Sequence, residues 1–211
     1  IIGISEGFHD GALALIQDSK ILYASHSERY SRIKGYKWVH SDQWPKSKRY
    51  QPDVVAYYEN PFKKNLRRWW AGQSWQKPRL DYDVSFSHHE SHAAAGFYTS
   101  TFDECNVLVV DAIGEWDTIS IWLGQDGKME LKEKTRYPHS LGILYSAFTQ
   151  RCGLKPAEEE YILMGMAAYG EPIYKNKIYR DFINTASPFQ LTKNLHKGLG
   201  NWMPGADPMD I

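Results

Sequence analysis

The sequence has few cysteines, no net charge and no long apolar run. Only Cys105 and Cys152 occur in 211 residues, without the paired spacing of a zinc ribbon or a disulfide framework. No run reaches the roughly 20 apolar residues of a membrane span, and the first ten residues lack the basic start and apolar core of a secretion signal. We therefore expect a protein of a reducing compartment, the cytoplasm, with no membrane partner.

Acidic residues are scarce in one region. Between Arg29 and Arg79 there are 13 lysines and arginines but only three acids. This asymmetry favours contact with an anion such as phosphate, or it marks a solvated basic face. Within it, residues 63–79 interleave cations and tryptophans, as single-stranded nucleic-acid surfaces do. An amphipathic surface segment whose tryptophans pack downward is the simpler interpretation, so we do not expect nucleic acid as a partner.

An initiator methionine is also lacking, and Pro208 and Asp210 near the last residue resemble the start of another helix. We expect a piece of a longer polypeptide, whose remainder beyond residue 211 would be a partner of this part. A hydrophobic content of 42% is enough for a buried core in a chain of this length.

Two stretches of the chain share one plan of strand, polar loop, strand, tight turn and strand. Strands and helices alternate between and after them, which indicates an α/β layered fold. The first copy has strands at 1–4, 12–16 and 21–24 around a loop at 7–11, and the second has strands at 107–110, 118–123 and 129–132 around a loop at 113–117. Between the copies we predict a helix near 41–49, a strand at 53–58, a basic aromatic insert near 60–80, a strand at 82–86 and a histidine-containing helix through 98, and after them helices at 141–152 and 158–169.

The histidine-containing segment carries the strongest chemical signal. Ser87 and Glu90 have the spacing of a capping box, which would begin a helix and place His88 and His92 on one face. Asp111, at the end of an apolar run, could add a carboxylate. Two imidazoles and a carboxylate leave coordination positions open, which is typical of catalytic metals. Histidines at this spacing are also common as ordinary surface or core side chains, so both interpretations stay open.

Six motifs in order resemble the nodulation-type (NodU) O-carbamoyltransferases. They extend over nearly the whole chain, which makes chance agreement implausible. The motifs are IGIS with HDGALALI (2–5 and 9–16), SERYSRIK (27–34), HHESHA (88–93), VDAIGE (110–115), YPHSLG (137–142) and MGMAAYG (164–170).

The resemblance implies a fold and a reaction. The fold would be the actin-like (sugar kinase/Hsp70-type) ATPase fold with duplicated ribonuclease-H-like lobes, the first at 1–103 and a truncated second at 104–211. In the reaction, carbamoyl phosphate and ATP form carbamoyl-adenylate, whose carbamoyl group passes to a hydroxyl of a small-molecule acceptor. The acceptor cannot be read from the sequence, because it depends on the shape of a pocket.

The resemblance also implies roles for individual residues. His88, His92 and Asp111 would bind a divalent metal, reported as iron in the family, and a second aspartate would lie beyond Ile211. Fe²⁺ is expected by resemblance, while Zn²⁺ and Mn²⁺ suit the same ligands. The candidate catalytic residues are His9, Asp10 as its orienting partner, Lys34 and Glu115; the candidate nucleotide contacts are Asp111, Gly114, Gly165 and Gly170.

The chain departs from the family pattern at several positions. Ala112 replaces a common glycine, which makes a positive φ and a close phosphate contact less favourable there. Ile162 stands for a lysine, Ala168 for a proline, and Glu90 with Ser91 for Leu-Ala. None of these changes removes a predicted metal ligand.

Other interpretations remain beside the carbamoyltransferase. The segment 164–170 could be ordinary helix packing, with small residues at a close contact and Gly170 as a stop. The ATPase that forms threonylcarbamoyladenosine on tRNA has a related two-histidine helix, and a non-catalytic actin-like binding module is a third alternative. We expect the 211 residues alone to bind metal weakly and to turn over little.

Overall fold

The computed structural model describes residues 1–44, 51–184, 189–200 and 202–203. Its contacts divide the chain into two compact units, Ile1–His92 and Ala93–Ile211. The predicted helix near 41–49 lies, from residue 45 on, outside the described residues. The elements that begin in the first unit are β1 (Ile2–Ser5), β2 (Ala12–Gln17), β3 (Lys20–His26), α1 (Glu28–Ser31), β4 (Val55–Tyr57), α2 (Pro61–Trp70), β5 (Val84–Ser85) and α3 (His88–Tyr98).

A mixed five-stranded sheet forms the first unit, in the order β3-β2-β1-β4-β5. Strands β1, β2 and β3 form an antiparallel meander, whereas β4 and β5 run parallel to β1. The alternating side chains of β1 and β2 bury Ile2, Ile4, Leu13 and Leu15 together with Tyr57. The predicted α/β class is therefore confirmed.

Helix α2 contradicts the interpretation of the basic insert as a segment whose tryptophans pack downward. Trp69 and Trp70 are about two-thirds exposed, at 65% and 66%. The buried positions of the helix are instead Lys64 and Asn65. The side chain of Asn65 exchanges two hydrogen bonds with the backbone of Gln76, which turns the polar face of the helix inward.

The second unit contains a three-stranded antiparallel sheet in the order β6-β7-β8, followed by helices. The predicted plan of strand, turn and strand is present, but the predicted loop at 113–117 is wrong in length. Only Glu115 and Trp116 connect β6 to β7, since the two strands pair as far as Gly114 and Asp117. The elements are β6 (Glu104–Gly114), β7 (Asp117–Gln125), β8 (Lys128–Arg136), α4 (Leu141–Arg151), α5 (Glu160–Ala167), α6 (Lys175–Phe182), β9 (Ile183–Asn184) and β10 (Gln190–Leu191).

Two apolar clusters stabilise the second unit. Ala93, on the second half of α3, packs with Val109 and Trp122 of the sheet. A larger cluster surrounds Phe182, which is fully buried, and includes residues of α4 and of the segment after β10. None of the helices among the described residues has both the length and the apolar character that a bilayer span requires. The predicted lobe boundary at residues 103 and 104 stays a prediction.

Candidate metal centre and catalytic loops

The start of helix α3 has the predicted capping box. The backbone N–H of Glu90 donates to Oγ of Ser87 at 3.3 Å, and the backbone N–H of Ser87 donates to the Glu90 carboxylate at 3.3 Å. These bonds satisfy two of the N–H groups that a helix start leaves without partners. The capping box therefore fixes the helical register of the histidines that follow.

His88 and His92 meet on one face of α3. Their Nε2 atoms are 3.0 Å apart and their ring centroids 4.7 Å apart. The hydroxyl of Ser91 donates to the carbonyl of Tyr58 at 2.7 Å, so the first turn is fastened to the chain just after β4. Two imidazole nitrogens on a fixed helix thus lie close enough together to bind one cation.

The wall beside His88 is an uncharged phenol. The ring of Tyr58 contacts the ring of His88 edge-on, with centroids 5.6 Å apart. Burial raises the pKa of Tyr58 far above its usual value, and the nearby Glu59 raises it further. The buried Glu59 also pairs with the buried ammonium of Lys64. Tyr58 therefore remains protonated at neutral pH, and its side chain adds no negative charge beside His88.

Asp111 lies in an irregular part of β6, in the second unit. The register of β6 on β7 shifts between Val110 and Gly114, which is the mark of a β-bulge. Oδ1 of Asp111 accepts a hydrogen bond from the backbone N–H of Ala112 at 2.6 Å. Bulges commonly re-aim a side chain next to a functional site, and the bulge is compatible with the predicted ligand role of Asp111.

The YPHSLG motif holds this bulge in place. Ser140 is fully buried and its hydroxyl donates to the carbonyl of Ala112 at 2.7 Å. The same oxygen caps α4 by accepting the backbone N–H of Ile143. Gly142 lies so close to the backbone of the bulge that a Cβ at position 142 would be 2.6 Å from Cα of Ala112. Only a glycine permits this contact, since the obstructing atom belongs to the backbone.

In the turn after the bulge, the left-handed residue directly follows the predicted nucleotide-contacting glycine. Glu115 is the residue with a left-handed backbone, at φ 57°, whereas Gly114 has no positive φ. Glu115 is also buried, and the neighbouring Trp116 carbonyl accepts the backbone N–H of Tyr137 at 2.9 Å. The roles of Gly114 in nucleotide binding and of Glu115 in catalysis stay predictions.

His9 and Asp10 occupy the connection between β1 and β2. Nδ1 of His9 lies 2.6 Å from Oδ2 of Asp10, which is the predicted orienting contact. The loop is fastened to later residues, because the backbone N–H of Gly11 donates to the carbonyl of Tyr36 at 2.7 Å. A Cβ on Gly11 would lie 2.4 Å from the carbonyl oxygen of Trp38. This close backbone approach requires glycine at position 11.

Lys34 lies in the turn that follows α1. Two residues of this turn adopt left-handed conformations, Arg32 at φ 60° and Gly35 at φ 67°. The backbone of residues 36 and 37 bonds the 7–11 loop, through Tyr36 to Gly11 and Lys37 to Gly7. Lys34 therefore belongs to a segment that is bonded to the loop of His9, and its role in catalysis stays a prediction.

The MGMAAYG motif does not show the close packing that its small residues indicated. Gly165 lies in α5, and a Cβ there would meet no described atom within 4 Å. Gly170 does not have the left-handed backbone of a helix stop. Among the described residues, the close packing predicted for Gly165 is therefore wrong, whereas α5 does end shortly before Gly170, at Ala167. Their roles as nucleotide contacts stay predictions.

Sequence reasoning missed the structural role of Ser140 and Gly142. Both lie in the YPHSLG motif (137–142), which carries part of the family resemblance. The signal was present in part, since a serine directly before an apolar helical run is a common N-cap. What the spacing could not reveal is that the same serine binds a strand about 30 residues earlier.

Comparisons with known proteins agree with these motifs. A family model described as carbamoyltransferase N-terminus matches residues 58–199. The uncharacterized protein sll1178 of Synechocystis sp. is 33% identical over 228 residues, covering 87% of this chain and 37% of that protein. The nodulation protein NolNO of Sinorhizobium fredii is 29% identical over 209 residues, covering 82% of this chain and 30% of that protein.

A second nodulation protein, NolO of Bradyrhizobium diazoefficiens, is 29% identical over 100 residues, covering 46% of this chain and 17% of that protein. The chain spans about a third of the length of the first two curated relatives, 37% and 30%. The resemblance to nodulation-type carbamoyltransferases is confirmed. Because the family model matches more than half of it, the chain belongs to the carbamoyltransferase N-terminus family.

Proposed function

We propose that this chain is the amino-terminal part of an ATP-dependent O-carbamoyltransferase. Membership of the carbamoyltransferase N-terminus family supports the transferase activity. The relationship to two nodulation proteins supports the same enzyme class. The donor would be carbamoyl-adenylate, made from carbamoyl phosphate and ATP, and the acceptor a hydroxyl group of a small molecule.

The proposed fold is actin-like, with two ribonuclease-H-like lobes. The sheet order β3-β2-β1-β4-β5 supports this proposal for the first unit, because an antiparallel meander followed by two parallel strands is the arrangement expected of such a lobe. The meander β6-β7-β8 supports the beginning of a second lobe. An ATP-binding role for Asp111, Gly114, Gly165 and Gly170 belongs to the same proposal.

The observation that carries the proposal is the pair of imidazoles on α3. Nε2 of His88 and Nε2 of His92 are 3.0 Å apart, on a helix whose start is fixed by a capping box. Two imidazoles suit Fe²⁺, Zn²⁺ and Mn²⁺ alike, and the resemblance adds Asp111 as a carboxylate ligand. When bound, a divalent cation supplies positive charge that neutralises and orients phosphate oxygens.

The loop of His9 supplies the proton acceptor in this proposal. If Nδ1–H of His9 donates to Asp10, Nε2 is left to accept a proton. The acceptor hydroxyl oxygen then bonds to the carbamoyl carbon, the bond from that carbon to the adenylate phosphate oxygen breaks, and AMP leaves. The hydroxyl proton passes to Nε2 of His9. The cation of Lys34 would stabilise the negative charge on the departing phosphate.

The experiment uses the full-length protein with His88→Ala and His92→Ala. Each variant should lose Fe²⁺ measured by anaerobic titration and elemental analysis, and should lose transfer of labelled carbamoyl from carbamoyl phosphate and ATP to a panel of hydroxyl acceptors. The control is His196→Ala, which removes an exposed imidazole outside α3. Circular dichroism of each variant checks that the fold is retained.

The outcomes separate the proposal from its alternatives. Normal metal content in either α3 variant would contradict the metal site. A wild-type protein that binds no metal and transfers no carbamoyl group would favour a non-catalytic binding module instead. Transfer of a threonylcarbamoyl group to tRNA would favour the tRNA-modifying relative.

A further inference from the structure

Two titratable side chains outside the proposed catalytic set lie beside the His9 loop. His26 is the last residue of β3 and Glu28 is the first residue of α1. Nε2 of His26 lies 3.5 Å from Oδ1 of Asp10, and Nδ1 of His26 lies 3.7 Å from Oε1 of Glu28. With the 2.6 Å contact between Asp10 and His9, four groups form one continuous chain.

The second carboxylate oxygen of Glu28 contacts the turn that carries Lys34. Oε2 accepts a hydrogen bond from the backbone N–H of Gly35 at 3.2 Å. Gly35 follows Lys34 directly in the turn after α1. A single carboxylate therefore contacts both the group that leads to His9 and the turn that carries Lys34.

Exposure increases along the chain from Glu28 to His9. The exposed fractions of the side chains are 24% for Glu28, 34% for His26, 44% for Asp10 and 63% for His9. The least exposed group is the one best able to hold a fixed position, and the most exposed is the one that can meet a substrate. The more buried side chains, Glu28 and His26, are therefore placed to hold the more exposed Asp10 and His9.

The backbone beside Glu28 is itself fixed to the loop. The backbone N–H of Ser27 donates to the carbonyl of Gly11 at 2.7 Å, and the fully buried hydroxyl of Ser27 donates to Gln43 at 2.6 Å. The exposed Arg29 lies 4.0 Å from Oε1 of Glu28, a contact that contributes little in water. Glu28 therefore acts from a rigid support.

We infer that Glu28, through His26, is a positioning residue that holds His9 in its Nδ1–H tautomer and fixes the Lys34 turn. This inference rests on the proposed function for the importance of His9 and Lys34. With a proton on each ring nitrogen, His26 directs Nδ1–H toward Oε1 of Glu28 and Nε2–H toward Oδ1 of Asp10. Oδ2 of Asp10 is left to accept Nδ1–H of His9. Which nitrogen of a histidine is protonated is set by the hydrogen bond that the other one makes.

The distances at His26 fit a supporting role. At 3.5 and 3.7 Å they are electrostatic contacts, longer than the 2.7–3.2 Å typical of nitrogen–oxygen hydrogen bonds. Hydrogen bonds of a catalytic network are often long before substrate binds and shorten in the complex. Outer groups of this kind typically change activity by about 10- to 100-fold when they are removed from a metal-bound histidine, and we expect a similar range here.

The test uses the full-length protein with Glu28→Gln and His26→Gln, and Asp53→Asn as the matched control. Asp53 is an exposed acid of the same unit. The first readout is the ¹⁵N spectrum of histidine-labelled protein at neutral pH, which distinguishes the two tautomers without any turnover. His9 should give the Nδ1–H signature in the wild type and in Asp53→Asn, and a mixture with Nε2–H in the other two variants.

The second readout is carbamoyl transfer. In Glu28→Gln and His26→Gln we expect kcat to fall about 10- to 100-fold with little change in KM, because the acceptor-binding groups are untouched. Glu28→Asp should recover part of the loss, since it retains the charge. An unchanged His9 tautomer in both glutamine variants with intact circular dichroism would overturn the inference. Absence of transfer in the wild type, with a normal tautomer response, would reject the proposed function while leaving the positioning role standing.

Discussion

The two antiparallel meanders share one plan but present their candidate functional groups in different ways. Between β1 and β2 the connection is six residues long and carries His9 and Asp10 outside the sheet. Between β6 and β7 it is only two residues long, and Asp111 lies within the bulged strand. A side chain on a loop needs other segments to hold it in place, whereas a side chain on a bulged strand is held mainly by the hydrogen bonds of the sheet.

The two meanders also differ in what holds these groups. The loop at 7–11 is bonded by residues 27 and 36–37 and contacts the backbone of Trp38. The bulge is held by Ser140 and Gly142 at the start of one helix. Each candidate group therefore depends on a later segment of the sequence, and each dependence includes a close contact between a glycine and a backbone atom.

The largest effect should come from closing these glycine contacts. Gly142→Ala and Gly11→Ala each place a methyl group at about 2.5 Å from backbone atoms, at 2.6 and 2.4 Å respectively. Backbone cannot rotate away as a side chain can, so we expect each to lower the free energy of unfolding by about 2–3 kcal/mol. Hydrogen exchange should show the loss only in β6–β8 for the first and only in β1–β3 for the second.

Gly165→Ala is the control for these variants, because its methyl group would enter open space on a helix. It should be neutral or stabilise by up to about 1 kcal/mol. Equal loss of protection in both meanders from either variant would contradict the independence of the two supports.

A smaller effect is expected from removing the serine that fastens the bulge. Ser140→Ala deletes the cap of α4 and leaves the Ala112 carbonyl with one hydrogen bond fewer. We expect a loss of about 1–2 kcal/mol in unfolding by denaturant, together with faster exchange at residues 111–113. The exposed Thr101→Ala should change stability by less than about 0.5 kcal/mol. A Ser140→Ala protein as stable as Thr101→Ala would show that the sheet alone holds the bulge.

The smallest effect concerns the capping box of α3. Ser87→Ala removes the side-chain oxygen that accepts the Glu90 N–H, and should cost about 1 kcal/mol. Ser87→Asp should restore most of it, because aspartate is an equally good cap. Both are measured by urea unfolding of the whole chain. If the alanine variant loses no stability, tertiary contacts such as that of Ser91 with Tyr58 fix the helix start by themselves.

Local patterns predicted much of the fold. The strands β1 and β2 lie close to the predicted ranges 1–4 and 12–16, and α4 and α5 lie where the apolar runs placed them. The buried face of the basic insert was harder to predict, because a helical pattern with cations and aromatics on it does not indicate which face packs against the rest of the protein. Lys64 and Asn65 are buried by partners at positions 59 and 76, and no local signal identifies those partners.

Features that depend on neighbours within one helical turn or one strand could be predicted from the amino-acid sequence. The capping box of Ser87 and Glu90 and the shared face of His88 and His92 follow from the 3.6-residue period of a helix, and the family membership follows from motifs.

The distant segments that support the candidate groups became known from the folded chain alone. His26 meets Asp10 of the loop between β1 and β2, and Ser140 bonds the strand at Ala112. These contacts depend on how the chain closes loops and satisfies buried polar groups, and that choice is made by the whole fold and not by residues adjacent in sequence.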